Sequence, residues 1–164
     1  MKKSYLILAC LIVFACAVMP AQAFTAKSLT ITLETNGDAY VDIQYDLSFL
    51  EYAAVFLKMA DPAAELQKAL EGNINRPVAV QAADNSHAGI VIYGFADSAN
   101  DDAALIMTTP SLSFARAEAV VKQYWFAPLI SPDFSPTETR VVFPDGYTAT
   151  FHDQITIPSV SHRI

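Results

Sequence analysis

The alternation of apolar and polar side chains predicts that the folded part of the chain opens with a β-hairpin. Residues 29–33 and 41–47 each place apolar side chains at every second position, which is typical of strands with one buried face. For both apolar faces to meet one core, Glu34 must lie opposite Asp38. Thr35-Asn36-Gly37 then forms a three-residue loop with its glycine in the left-handed conformation.

A second hairpin is predicted near the carboxyl end, in the stretch RVVFPDGYTATF. The apolar positions match if Phe143 pairs with Tyr147, which leaves Pro144-Asp145-Gly146 as the loop. Proline suits the first position of a type I turn, and glycine suits the left-handed third position. This pairing directs His152 towards solvent.

Between the hairpins, three further strands are expected at 77–83, 89–96 and 103–109, as an antiparallel meander. The polar stretch DSANDD, residues 97–102, is interpreted as a loop. A last short strand is expected at 154–157, ending at a proline.

Helical spacing of apolar residues predicts helices over 48–59, 61–72 and 114–124. The sequence therefore predicts an α+β protein. Its antiparallel sheet would hold about seven or eight strands, in hairpins and a meander, with two or three helices packed mainly on one face.

The first 23 residues are predicted to be a secretory signal peptide. Lys2 and Lys3 precede an apolar run over residues 5–19, and Ala21-Gln22-Ala23 has the form of a cleavage site. An alternative is that Cys16 is the lipidated residue of a degenerate lipoprotein box. On the first interpretation residues 24–164 form a single secreted domain, extracytoplasmic and free in the medium or associated with the cell envelope.

Both cysteines, Cys10 and Cys16, lie in the predicted signal, so residues 24–164 contain no thiol and can form no disulfide. Removal of Lys2 and Lys3 lowers the formal charge of the chain from −7 to −9. Nucleic acids are bound through clustered Lys and Arg side chains, so we expect no nucleic-acid partner. No later apolar run is long enough for a transmembrane segment.

Candidate chemistry is sparse, and the sequence predicts neither an enzyme nor a cofactor. Zinc motifs with paired ligands, serine elbows and glycine-rich phosphate loops are absent from the sequence. A composite site of His152, Asp153 and His162 is one weak alternative. A loose calcium site in residues 97–102 is another, although the stretch departs from an EF-hand at several positions.

Aromatic side chains around a proline-rich loop form a candidate ligand surface for peptide or glycan. The residues are Tyr124, Trp125, Phe126 and Phe134.

The chain also resembles an uncharacterised extracytoplasmic domain family of methanogenic archaea, whose members are secreted or membrane-tethered. The stretches that carry the resemblance are NGDAYVDIQYDLSFLE, IVIYGFA, SLSFARAEAVVKQYWFAP, FPDGY and IPSVSH. They are turns and core positions, so the resemblance implies a secreted domain and no catalytic residue.

Three functional hypotheses follow. The first is a secreted, non-catalytic binding or structural module of the cell envelope, with an envelope protein or glycan as partner. The second is a secreted hydrolase that uses the composite histidine and aspartate site. The third is a calcium-stabilised adhesion domain. The sequence does not indicate the oligomeric state.

Overall fold

The structure is a computed structural model that describes residues 25–46, 67, 71, 76–84, 86–101, 104–115, 119 and 133–164. Within these residues the chain forms eleven strands. They are β1 (Thr25–Leu33), β2 (Ala39–Asp46), β3 (Val78–Ala83), β4 (His87–Ile92), β5 (Asp97–Asp101), β6 (Ala104–Thr108), β7 (Leu112–Ser113), β8 (Glu138–Val142), β9 (Thr148–Phe151), β10 (Thr156–Ile157) and β11 (Ser161–Arg163).

The predicted α+β class is wrong. Among the described residues 59% lie in strands and 4% in helical conformation, and no helix packs on a face of a sheet. The core face of the largest sheet is covered by residues of a second sheet instead. The segments predicted as helices, 48–59, 61–72 and 114–124, lie largely outside the described residues.

The described strands form three sheets instead of one. A six-stranded sheet has the order β3-β4-β2-β1-β8-β9, a three-stranded sheet the order β11-β6-β5, and a two-stranded sheet joins β10 to β7. The prediction of a purely antiparallel sheet is also wrong, because β1 and β8 pair in parallel, with Ile31 opposite Val141. β1 and β2 form the centre of the six-stranded sheet, and β8 lies on the other side of β1.

Both predicted hairpins are confirmed. In the first, the amide of Glu34 donates to the carbonyl of Asp38 at 2.8 Å, and Gly37 has a φ of 88°. In the second, the amide of Phe143 donates to the carbonyl of Tyr147 at 2.8 Å, and Gly146 has a φ of 89°. Local turn chemistry therefore sets the register of both hairpins.

One hydrophobic core joins the six-stranded and three-stranded sheets. Alternate residues of the six-stranded sheet, among them Leu29, Val41 and Ile90, are almost fully buried. Met107 on β6 and Phe95 in the β4–β5 connection belong to the same cluster. Burial of each such side chain contributes roughly 1.5–3 kcal/mol, so this contact between sheets is the main source of the stability of the described fold.

The stretch 97–102, expected to be a loop, belongs mostly to a strand. Residues 97–101 form β5, in which Asp97 lies opposite Thr108 and Ala99 opposite Ile106. The residues from Asp97 to Asn100 are exposed on both sides of the strand. An edge strand with two exposed faces needs no apolar alternation, so the pattern of side chains could not reveal it.

The connection after β4 is hydrogen-bonded to the loop of the first hairpin. The carbonyl of Gly37 accepts a hydrogen bond from the amide of Ala96 at 2.8 Å, and the carboxylate of Asp38 accepts one from the amide of Gly94 at 2.7 Å. Arg76 donates to the carbonyl of Gly94. These bonds fix where the chain leaves the six-stranded sheet for the three-stranded one.

Candidate functional site

A half-open pocket of about 300 Å³ lies where β1, β2 and β4 meet at one end of the six-stranded sheet. This volume is at the small end of the range of ligand pockets, about 300–1,000 Å³. Its surface is polar and apolar in equal parts, and the lining residues are Lys27, Gln44, Tyr45, Asp46, Ser86 and His87.

Strand register places the polar groups beside this pocket. Val41 on β2 faces the core, so Tyr40, Asp42 and Gln44 occupy the opposite face, here called the outer face. On the neighbouring strand, His87 lies opposite Gln44, and Gly89 lies opposite Asp42. Polar side chains from two strands therefore meet on the outer face next to the pocket.

Asp42 and His87 form a hydrogen-bonded pair across this face. The Nε2 atom of His87 lies 2.7 Å from Oδ2 of Asp42, and the two side chains are 33% and 29% exposed. His87 makes no other side-chain hydrogen bond with the described residues. The carboxylate orients the ring, and the second ring nitrogen has no hydrogen-bond partner among the described residues.

Gly89 makes room for the ring of Tyr40. A Cβ atom at Gly89 would lie 2.8 Å from the Tyr40 hydroxyl oxygen and 3.6 Å from Cε1 of His87. The hydroxyl end of Tyr40 therefore lies over the glycine, close to His87. Tyr40 is 41% exposed, so an aromatic surface adjoins the polar groups.

The loop before β4 is held by Asp84. Its carboxylate accepts hydrogen bonds from the amides of Ser86 at 2.8 Å and His87 at 2.9 Å, and from the Ser86 hydroxyl at 3.1 Å. The Ser86 amide is the main cause that lowers the pKa of Asp84, and the Ser86 hydroxyl and His87 act in the same direction. The Tyr45 hydroxyl donates to the Asp84 carbonyl at 2.6 Å, and burial raises the pKa of Tyr45.

The chemistry of the lining favours binding over nucleophilic attack. Ser86 carries a potential nucleophile, but its hydroxyl bonds Asp84 and not the ring of His87. Lys27 and Asp46 form an ion pair at 2.7 Å. Within the described residues no group of three or more His, Cys, Asp or Glu side chains could hold a metal ion.

The structure separates the residues of the predicted composite site. His152 follows β9, where its Nδ1 atom lies 3.2 Å from the carbonyl of Thr137. Asp153 is next to it, with a φ of 52°. His162 pairs with Asp145 at 2.8 Å instead, and stacks on Tyr147. Since Tyr147 and His152 are at opposite ends of β9, about 17 Å apart along an extended strand, His162 is not brought to His152.

The candidate aromatic surface is only partly described. Phe134 is half-buried, next to the bridge between Thr25 and Asp133. Tyr124, Trp125 and Phe126 lie outside the described residues, so this surface stays a prediction.

Sequence reasoning missed the pairing of Asp42 with His87. The two residues are 45 positions apart and meet only because β2 and β4 are neighbours in the sheet. The one local signal is that Asp42 falls on the polar side of a predicted strand, and His87 lies two residues before the start of another. No residue type or spacing in the sequence indicates that those strands are adjacent.

In the part of the chain that the structure describes, no helix is long and apolar enough to span a membrane. No protein-family model, curated protein or solved structure matches the chain. The resemblance to the methanogen family therefore stays a prediction, and the case for a function depends on the pocket and the outer face.

Proposed function

We propose that the protein is a secreted, non-catalytic binding module of the cell envelope. The observation that carries the proposal is the half-open pocket beside the Asp42–His87 pair. Most of its donors and acceptors lie on strands, and strands hold such groups in place more precisely than loops do.

The contacts of Ser86 support a binding role rather than hydrolysis. Nucleophilic catalysis needs a hydroxyl within hydrogen-bond reach of a base. Here the Ser86 hydroxyl is bonded to the Asp84 carboxylate at 3.1 Å, and that carboxylate also accepts two backbone amides. Its pKa is lowered by these bonds, which makes it a weaker proton acceptor.

The N-terminal sequence supports the location. A basic start, an apolar run and an Ala-x-Ala site are typical of a chain that is exported. An acidic surface keeps such a protein soluble once it has left the cell.

The test is co-sedimentation of the protein, purified from its producing cells, with envelope fractions of those cells, alongside a peptide and glycan hydrolysis panel. We expect saturable sedimentation and no turnover. Absence of sedimentation would contradict the binding role, and turnover that persists through repurification would contradict the non-catalytic one.

A further inference from the structure

We infer that the pocket and the adjoining outer face bind a neutral glycan, with Tyr40 as the stacking surface and Gln44, Asp42 and His87 as hydrogen-bonding groups. The inference rests on the proposed function and names the ligand class of the same site.

The charged side chains at the site are already paired with one another. The Lys27 ammonium lies 2.7 Å from the Asp46 carboxylate, and Asp42 is bonded to His87 at 2.7 Å. A cationic ligand would have to displace Lys27 from Asp46. An anionic ligand would be repelled, because the chain has a net charge of −7 and the carboxylates of Asp42, Asp46 and Asp84 lie near the pocket. A neutral ligand incurs neither cost, so these charges favour a neutral ligand over an ionic one.

The hydrogen-bonding groups suit hydroxyls. The Asp42 carboxylate only accepts, whereas the Gln44 amide both donates and accepts. Gln44 is exposed at the pocket. A sugar hydroxyl also donates and accepts, so adjacent hydroxyls on one ring can satisfy both side chains. A purely apolar ligand would leave these groups without partners, at a cost for each one it buries.

Tyr40 supplies the surface for stacking. Its ring lies over Gly89, on a strand rather than on a loop, and it is 41% exposed. Tyrosine combines an apolar ring with a polar tip, which matches a pyranose ring with its apolar C–H face and its rim of hydroxyls.

A peptide fits the site less well. Peptides that bind sheets commonly add a strand at an edge. β2 and β4 each have a hydrogen-bonded neighbour on both sides, in the order β3-β4-β2-β1, so no strand can be added there. Strand addition is therefore excluded at this site, and recognition through side chains suits an oligosaccharide.

The test is calorimetric titration of the purified protein with neutral tetrasaccharides of glucose, mannose, galactose and N-acetylglucosamine. A galacturonate tetramer, a deacetylated chitosan tetramer and an uncharged octapeptide are the comparison probes. We expect at least one neutral tetrasaccharide to bind about tenfold more tightly than every comparison probe, and Tyr40→Ala and Gln44→Ala to weaken it about tenfold each.

The matched controls are Tyr147→Ala and Gln154→Ala, which remove the same side chains from exposed positions elsewhere, and both should bind like the native protein. Equal affinity for a charged tetramer or the peptide, no binding of any neutral tetrasaccharide, or native affinity in Tyr40→Ala would each overturn the inference. If native and Tyr40→Ala proteins co-sediment equally with envelopes, the binding module stands and only its assigned site and ligand fail.

Discussion

His162 on the last strand lies with its Nε2 atom 2.8 Å from Oδ2 of Asp145, in the turn between β8 and β9. Its ring stacks on Tyr147, with centroids 4.0 Å apart and planes at 13°, and meets Phe143 edge-on at 5.1 Å. The pair joins the edge of the three-stranded sheet to a hairpin of the six-stranded sheet. The hydrogen bond from His162 is also the main cause that lowers the pKa of Asp145.

We predict that His162→Ala lowers the free energy of unfolding by about 1 kcal/mol, mainly because the ring contacts with Tyr147 and Phe143 are lost. Urea denaturation measures the change. The control is His152→Ala, which removes an exposed ring that stacks on no aromatic ring of the described residues and should change stability by less than about 0.5 kcal/mol. Equal effects in the two variants would contradict a role for the ring contacts.

The lowered pKa of Asp84 predicts acid sensitivity of the loop before β4. Because its pKa in the folded protein is below the ordinary value of 3.8, the ionised carboxylate stabilises the fold above that value, and this contribution is lost as the pH falls through the folded-state pKa. Asp84→Asn keeps an oxygen that accepts from the Ser86 amide but removes the titration. Its melting temperature should therefore fall less than that of the native protein between about pH 7 and pH 3.

The control for this experiment is Asp153→Asn, which should reproduce the native pH profile, since Asp153 makes no side-chain hydrogen bond with the described residues. An unchanged profile in Asp84→Asn would show that the hydrogen bonds of its carboxylate do not contribute to acid unfolding.

Two buried threonines should respond in opposite directions to the same substitution. The Thr139 hydroxyl is buried without a hydrogen-bond partner among the described residues, whereas the Thr109 hydroxyl accepts from the amide of Val160 at 3.0 Å. Thr139→Val should raise the free energy of unfolding by about 1 kcal/mol, and Thr109→Val should lower it by about 1–2 kcal/mol. Chemical denaturation of both variants checks this, and a destabilised Thr139→Val would contradict it.

The left-handed glycines of the two hairpin loops differ in their surroundings. A Cβ at Gly37 would lie 2.7 Å from the carbonyl oxygen of Ala96, whereas one at Gly146 would meet nothing within 4 Å. Gly146→Ala should therefore cost only the conformational penalty of about 1 kcal/mol, and Gly37→Ala about 3 kcal/mol, because the β4–β5 connection must also move. Thermal melts of the two variants would expose the difference, and equal losses would mean that the contact with Ala96 is unimportant.

Gly89→Ala should weaken glycan binding at the candidate site and leave the stability of the fold nearly unchanged. The added Cβ would lie 2.8 Å from the hydroxyl of Tyr40, the movable end of an exposed side chain, so the ring can shift without a change in the strands. We expect a small change in melting temperature, and a loss of glycan affinity similar to that of Tyr40→Ala. Native affinity in this variant would mean that the position of the Tyr40 ring does not matter for binding.

The hairpins could be predicted from the sequence because their information is local. Gly37 and Gly146 mark the left-handed positions, and the alternation on either side fixes the register. The same reasoning failed for β5, whose exposed polar residues lack alternation, and for the parallel pair of β1 and β8, which no local pattern indicates. The predicted helices fall largely on residues that the structure does not describe.

The candidate site could not be predicted, because it depends on the order of strands in the sheet. In the sequence, Asp42 looks like a surface residue on the polar side of one predicted strand, and His87 looks like a loop residue before another. Only the adjacency of β2 and β4 makes them a pair. The residues that drew attention in the sequence, His152, Asp153 and His162, were close in sequence. The fold directs His162 to Asp145 instead.

The parallel pairing of β1 with β8 determines when the fold can be completed. Ser28 and Glu138 are partners although they are about 110 residues apart, so the pair of β1 and β8 cannot form until most of the chain has been synthesised. The first hairpin can form early, but one edge of β1 stays unpaired until β8 has been synthesised. Long-range pairing of this kind slows folding, so newly made chains should pass through a period in which β1 is an open edge available to other strands.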